Sequence, residues 1–190
     1  AAIREYGAEF QGYLSQNFSL YGQYSHADRD GAVLEQQQLT ADWRPDDRNQ
    51  WIAELRRNSE QRGSETVEPV LAALSYTRKV TSLLEIYGIA QYTVDDDHGR
   101  YADNDLYTVG SKYQFGNRSS VGAAYSDGSR GHATEVNAEY WLAEDHSIYG
   151  NYRYSTDSTE ADPLFNNKQA AGWTVGQRWR LSNQVNVYNE

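Results

Sequence analysis

At 190 residues the chain has the length of one all-β domain. Its 38% hydrophobic content and mean hydropathy of −0.85 leave no run near the ~18 to 20 apolar residues that a membrane-spanning helix needs. A net charge of −10 argues against nucleic-acid binding, which needs clustered Lys and Arg, and the absence of cysteine excludes disulfides and thiolate metal sites.

The chain opens on an alternating run. Tyr6, Ala8, Phe10, Gly12 and Leu14 share one face, while Glu5, Glu9 and Gln11 lie on the other. A short polar turn at Ser15–Asn17 leads into Phe18-Ser-Leu-Tyr-Gly-Gln-Tyr24, and a more polar connection is expected at Asp28–Gly31. Leu34–Trp43 carries Glu35, Gln36, Gln37 and Gln38 and has little apolar face. After a turn at Arg44–Asp47, Trp51–Arg57 shows Trp51, Ala53 and Leu55 and then becomes charged at Arg56 and Arg57. The polar ends of these two strands either project beyond a hydrocarbon layer or face a plug, a partner chain or water.

A long connection is expected at Asn58–Ser64, a turn at Val80–Thr81 and another long connection at Asp95–Asp105. Tyr107, Val109 and Tyr113 then oppose Thr108, Lys112 and Gln114. Beyond a turn at Gly116–Asn117 and a connection at Asp127–Gly131, Val136, Ala138, Tyr140 and Leu142 oppose Glu135, Asn137 and Glu139. A turn at Ala143–Asp145, a long connection at Ser155–Asn167 and a turn at Ser182–Asn183 complete the series. Residues 13–24 and 141–152 are near-repeats, each an aromatic-ended run, a polar turn and a Ser-apolar-Tyr-Gly-polar-Tyr run. Repeated hairpins give about twelve strands in an all-β, antiparallel, up-and-down arrangement, short turns at one end and long loops at the other. The whole of 1–190 reads as one barrel domain or barrel segment.

Sixteen Tyr and five Trp against four Phe suit positions where an apolar ring meets a polar tip, as at a bilayer–water boundary. Trp43, Tyr76, Tyr113, Tyr140 and Trp179 precede the short turns and are expected to form one ring. Tyr24, Tyr92, Tyr125 and Tyr154 fall near the long-loop ends and are expected to form a second. On the opposite face, Glu9, Gln11, Lys112, Gln114, Glu135, Asn137, Glu139 and Arg178 are candidates to line an aqueous lumen, where a carboxylate-rich wall would favour cations. The alternative is that they pair with one another and fill the interior.

With these turns, aromatic ends and alternating runs, the sequence resembles Gram-negative outer-membrane β-barrels as a broad class. Phe18-Ser-Leu-Tyr-Gly-Gln-Tyr24 and Ser147-Ile-Tyr-Gly-Asn-Tyr-Arg-Tyr154 look like their strands. The resemblance implies a transmembrane barrel inserted from the periplasmic side of the outer membrane, with loops outside the cell. Its partners would be the lipid bilayer and lipopolysaccharide, small solutes or an exported polymer, and a further barrel or periplasmic component. Such barrels usually end on an aromatic residue, whereas this chain stops at Val185-Asn-Val-Tyr188-Asn189-Glu190. With no Met at position 1 and no signal peptide, a processed chain or part of a larger barrel is the expectation.

Chemistry-bearing clusters are few. The loop around His98 holds Asp95, Asp96, Asp97, Asp103 and Asp105, an oxygen-rich set without EF-hand spacing, for which a solvated loop is the favoured reading over a cation site. Ser158, Glu160 and Asp162 form a second acidic loop. His26, His132 and His146 lie near strand ends without a Ser or carboxylate at a persuasive spacing, so no enzymatic activity, cofactor or metal is expected. The leading functional expectation is a passive pore or export channel. The alternatives are a closed structural or adhesive barrel that binds an outside partner through its loops, and a soluble all-β binding module.

Overall fold

The computed structural model describes residues 4–29, 32–116, 118–156, 172–180 and 186–189. The strands are β1 Arg4–Ser15, β2 Phe18–Arg29, β3 Ala32–Asp46, β4 Asn49–Arg62, β5 Glu65–Val67, β6 Val70–Lys79 and β7 Leu84–Asp95. They continue with β8 Leu106–Phe115, β9 Ser119–Gly128, β10 Gly131–Ala143, β11 His146–Ser155, β12 Gly172–Arg180 and β13 Asn186–Asn189. Twelve of them follow one another in chain order along a single sheet path, with the three-residue β5 set aside as a partner of β4 alone. Every ladder whose register is described is antiparallel. The all-β, up-and-down architecture expected from the hairpin repeats is therefore the one observed. Among the described residues no helix is long and apolar enough to cross a membrane, which says nothing of strands.

The chain divides into two compact units that interleave in sequence, 1–77 with 89–107, and 78–88 with 108–190. In the first, β1 to β4 pair through continuous ladders, Phe10 opposite Gly22, Gly22 opposite Leu39, and Leu39 opposite Leu55. In the second, β9 to β12 pair likewise, with Ala138 opposite both Val121 and Gly150, and Gly150 opposite Val175.

The short turns are built from local hydrogen bonds. Asp46 Oδ1 accepts from the backbone N–H groups of Arg48 and Asn49 at 2.8 and 2.9 Å, the side-chain-to-backbone bond that Asp supplies in tight turns. Thr81 Oγ1 accepts from Leu83 and Leu84 at 3.1 and 2.9 Å. Gly116 has φ +59, a left-handed conformation that costs glycine little. Register shifts at Tyr13/Ser15, Trp43/Asp46 and Trp141/Ala143 mark bulges beside three of these turns.

The loop end departs from expectation. Residues 58–62 continue β4 rather than forming a loop, and Gly63, at φ +63, turns the chain into β5. Asp28 and Arg29 belong to β2, and β9 and β10 are separated only by residues 129–130. Backbone ladders do not depend on apolar side chains, so polar sequence such as Asn58–Arg62 pairs as readily as Trp51–Leu55. Long connections among the described residues are thus fewer than the alternation of short and long suggested. The expected turn at Ser182–Asn183, most of the connection at Ser155–Asn167 and the acidic loop of Ser158, Glu160 and Asp162 lie outside the described residues.

Candidate functional site

The ladders sort side chains onto two faces, because residues opposite one another in an antiparallel pair point to the same side. In the first unit one face carries successive cross-strand rows. Phe18, Trp43 and Trp51 form the row nearest the short turns, followed by Gly12, Leu20, Ala41 and Ala53, and then by Phe10, Gly22, Leu39 and Leu55. The next row is Ala8, Tyr24, Gln37 and Arg57, and beyond it lie Tyr6, His26, Glu35 and Ser59. From Phe18 to His26 the strand advances about 27 Å at ~3.4 Å per residue. Inclined by ~40°, that is about 21 Å, close to the ~25 Å apolar band of an outer-membrane barrel.

Aromatic rings bound these rows at both ends. Trp51 stacks on Tyr76 at 4.3 Å, and the Tyr76 hydroxyl donates to Asn49 Oδ1 at 2.6 Å. At the loop end Tyr6 lies 6.3 Å from Tyr24 and 4.6 Å from His26, while Tyr92 meets Tyr107 edge-on at 5.6 Å with a 2.7 Å hydroxyl–hydroxyl bond. The second unit repeats the pattern. Tyr113, Phe115 and Tyr140 form a stacked series, and His146 stacks on Trp179 at 5.2 Å, all beside short turns. Tyr125, His132 and Tyr154 lie 6.2 to 6.4 Å apart at the other end, and Tyr152 rests 4.4 Å from Trp173.

Of the aromatic residues singled out from the sequence, Trp43, Tyr76, Tyr24 and Tyr92 stand in these rows and ring contacts of the first unit, and Tyr113, Tyr140, Trp179, Tyr125 and Tyr154 in those of the second. Phe18, Trp51, Phe115, Tyr6, Tyr107 and Trp173 also belong there. Their signal was present, since each falls within a residue or two of a strand end, but it becomes legible only once strand partners are known.

Between the two levels the apolar side chains are open. Phe10 is 58% exposed, Val109 64% and Val175 69%, and among the described residues Leu71 is the only hydrophobic one that is buried. In each unit, among the described residues, these side chains have no protein core against them.

The opposite face is polar. In the first unit it holds Glu9, Gln23, Gln38 and Arg56 in one row and Gln11, Tyr21, Thr40 and Glu54 in the next. Gln38 donates to Glu54 at 3.0 Å and to Thr40 at 3.2 Å, and Arg56 is bound to Glu54. Nearer the turns, Asp42 accepts from Gln50 at 3.0 Å and from Arg44 at 3.1 Å. In the second unit Glu135, Asn137 and Glu139 share a face with Ser147, Arg153 and Arg178. Glu135 lies 3.7 Å from Arg153, and Glu139 lies 3.3 Å from Arg178 and accepts from Ser147 at 2.8 Å. Alternation along β8 places Lys112 and Gln114 on the side of Thr108, which bonds Ser126 at 2.8 Å.

Two of the carboxylates named from the sequence, Glu135 and Glu139, are thus matched by guanidinium groups. Rings occur on this face as well, with Arg118 over Trp141 at 5.3 Å and Arg178 over Tyr149 at 4.8 Å. The pairing of Glu139 with Arg178 was not legible, because 39 residues separate them.

The acidic loop after β7 uses its carboxylates to hold itself. Asp95 accepts from the Asp97 N–H at 2.8 Å, Asp105 from Thr93 N–H at 2.8 Å, and Asp97 from Glu68 N–H at 3.0 Å and Arg100 at 2.6 Å. Asp97 is only 8% exposed. Burial pushes its carboxyl up, but the Glu68 N–H and the Arg100 guanidinium outweigh burial and hold it below the ordinary value. His98 stands in solvent, and among the described residues no group of His, Asp or Glu is placed to hold a metal ion.

An antiparallel up-and-down sheet with one apolar, aromatic-bounded face and one polar face is the architecture from which outer-membrane barrels are built. Solved structures similar to this chain include porins. Two mutants of the Rh. blastica porin align over 98% of this chain and 83% of their own, at 9 and 10% identity and a TM-score of 0.49. The KdgM porin, solved in complex with disordered oligogalacturonate, aligns over 82% of this chain and 92% of its own, at 13% identity and a TM-score of 0.44. No protein-family model matches the chain, and no curated protein sequence matches it.

Proposed function

We propose that the chain is an outer-membrane β-barrel, or a segment of one, that forms a passive, non-enzymatic pore for small polar solutes. The observation that carries this reading is the exposed apolar face of each unit, open at Phe10 in the first and at Val109 and Val175 in the second, with aromatic contacts near the strand ends. In water such a surface would demand a partner, whereas in a bilayer it is solvated by acyl chains. The polar face then lines the lumen. Glu9, Gln11, Lys112, Gln114, Glu135, Asn137, Glu139 and Arg178 are the residues proposed to meet the solute. With Glu135 and Glu139 paired to arginines, the cation preference of this lumen is modest. Conductance of the refolded chain in planar bilayers tests the reading: discrete steps with weak cation selectivity are expected, and their absence from folded protein would overturn it.

The paired charges also favour a second reading, a barrel whose interior is closed by its own ion pairs and whose loops bind an external partner. That barrel would insert into bilayers without conducting. Removing the Glu139 and Arg178 charges together would then open a conductance that the unaltered chain lacks.

A further inference from the structure

The apolar face of the first unit contains a groove. Gly22 offers no side chain where its ladder partners carry Phe10 and Leu39, and the Phe10 ring lies over it so closely that a Cβ there would collide with the ring. The depression has a volume of about 470 Å³; Ala8, Phe10, Leu39 and Leu55 line it together with Glu9, Gln23, Gln37 and Gln38, and Tyr24 and Arg57 stand at its loop-side end. Its length runs from the middle of the apolar rows to the level of the loop-side rings, and at that level stands one guanidinium.

We propose that this groove binds a membrane lipid with a phosphate-bearing, anionic headgroup, one acyl chain lying against Phe10, Leu39 and Leu55 and the phosphate on Arg57. The inference rests on the reading of this face as membrane-facing. Acyl chains and headgroups occupy those same two depths in a bilayer, so the ligand's apolar and charged parts fall where the groove offers matching surfaces. Arg57 gives one amino group to Glu68 at 3.2 Å and remains half exposed. A guanidinium has five N–H donors in a planar fork, so a phosphate oxygen is bound beside that carboxylate rather than in place of it. The neighbouring Glu35 does not repel the headgroup unassisted, because it is engaged by the Tyr24 hydroxyl at 3.3 Å and lies 3.0 Å from His26 Nδ1.

The test is native mass spectrometry of the full chain in a sugar-headgroup detergent, offered equal amounts of phosphatidylglycerol and phosphatidylcholine. One phosphatidylglycerol should be retained with about fivefold preference, the worth of one arginine near an anionic lipid surface. Arg57→Gln should abolish the preference. Ala8→Phe, at an exposed position and without change of charge, should fill the groove and reduce retention of both lipids. Equal retention of the two lipids by the unaltered chain, or no effect of Ala8→Phe, would overturn the site. So would displacement of the lipid by inorganic phosphate alone, or a dimer mass in place of the lipid adduct that disappears with Ala8→Phe. A chain that is monodisperse without detergent overturns the membrane reading and the site together. A detergent-dependent chain that retains no lipid overturns the site alone.

Discussion

Glu139 on β10 and Arg178 on β12 meet at 3.3 Å across the intervening β11, where Ser147 donates to the same carboxylate oxygen at 2.8 Å. Three neighbouring strands thereby share one charged cluster on the polar face. Removing either charge should alter ion selectivity more than stability, because the pair is partly exposed and such pairs contribute about 0 to 1 kcal/mol. In planar bilayers under a salt gradient, Glu139→Gln is expected to move the reversal potential towards anion preference and Arg178→Gln towards cation preference. Identical reversal potentials in both variants would show that this cluster does not line the conduction path.

Adjacent residues on β12 test the two faces against one another. Val175 belongs to the open apolar face and Thr174 to the opposite one. Val175→Arg should cost about 2 to 4 kcal/mol, the range for a cation near mid-membrane on a lipid-facing position, whereas Thr174→Arg should cost under about 1 kcal/mol. Urea unfolding in micelles or vesicles, followed by tryptophan fluorescence, measures both.

Packing on the polar face gives a third expectation. The Tyr87 ring occupies the space that a side chain at Gly110 would need. Gly110→Val should therefore destabilise by about 1 to 3 kcal/mol through overpacking. Tyr87→Ala in the same chain should recover part of that loss, since the two substitutions share one space. A double-mutant cycle by urea unfolding checks it, and additive losses would show that ring and glycine are not coupled.

The loop after β7 should loosen in acid. The Asp97 carboxyl is held below its ordinary value by the Glu68 N–H and Arg100 despite its burial. Its contribution is fully present above the unfolded value of about 4 and is lost as the pH falls through the lower, folded value. Hydrogen-exchange protection over residues 95–105, measured relative to the intrinsic rate at each pH, should be high at neutral pH and fall below about pH 4. Asp97→Asn should show low protection at every pH.

Much of this arrangement was legible in the sequence and some was not. Alternation along single strands assigned faces that the ladders repeat for Tyr6 to Gly12 and Val136 to Tyr140, because period two is a property of one strand. Cross-strand features were out of reach. The row joining Phe18, Trp43 and Trp51, the pairing of Glu139 with Arg178 and the groove over Gly22 all depend on register, which bulges at Trp43/Asp46 and Trp141/Ala143 shift locally. The polar stretch Asn58–Arg62 looked like a loop because composition reports side chains, whereas the ladder that holds it is made of backbone. Gln37 and Arg57, which fitted a lipid-facing strand poorly, stand in one row with Tyr24 towards the loop-side strand ends, the depth at which the proposed membrane reading puts headgroups.

The face bearing Val109 and Val136 is expected to meet lipid, and the face bearing Lys112 and Thr174 to meet water. Because the chain has no cysteine, single substitutions of these four residues to cysteine each give one spin label at one known position. Collision rates with dissolved oxygen and with a water-soluble nickel chelate, measured in lipid vesicles, report the surroundings of each label. Labels at 109 and 136 are expected to favour oxygen strongly, and labels at 112 and 174 the nickel chelate. Equal access of the chelate to all four positions would contradict the membrane barrel.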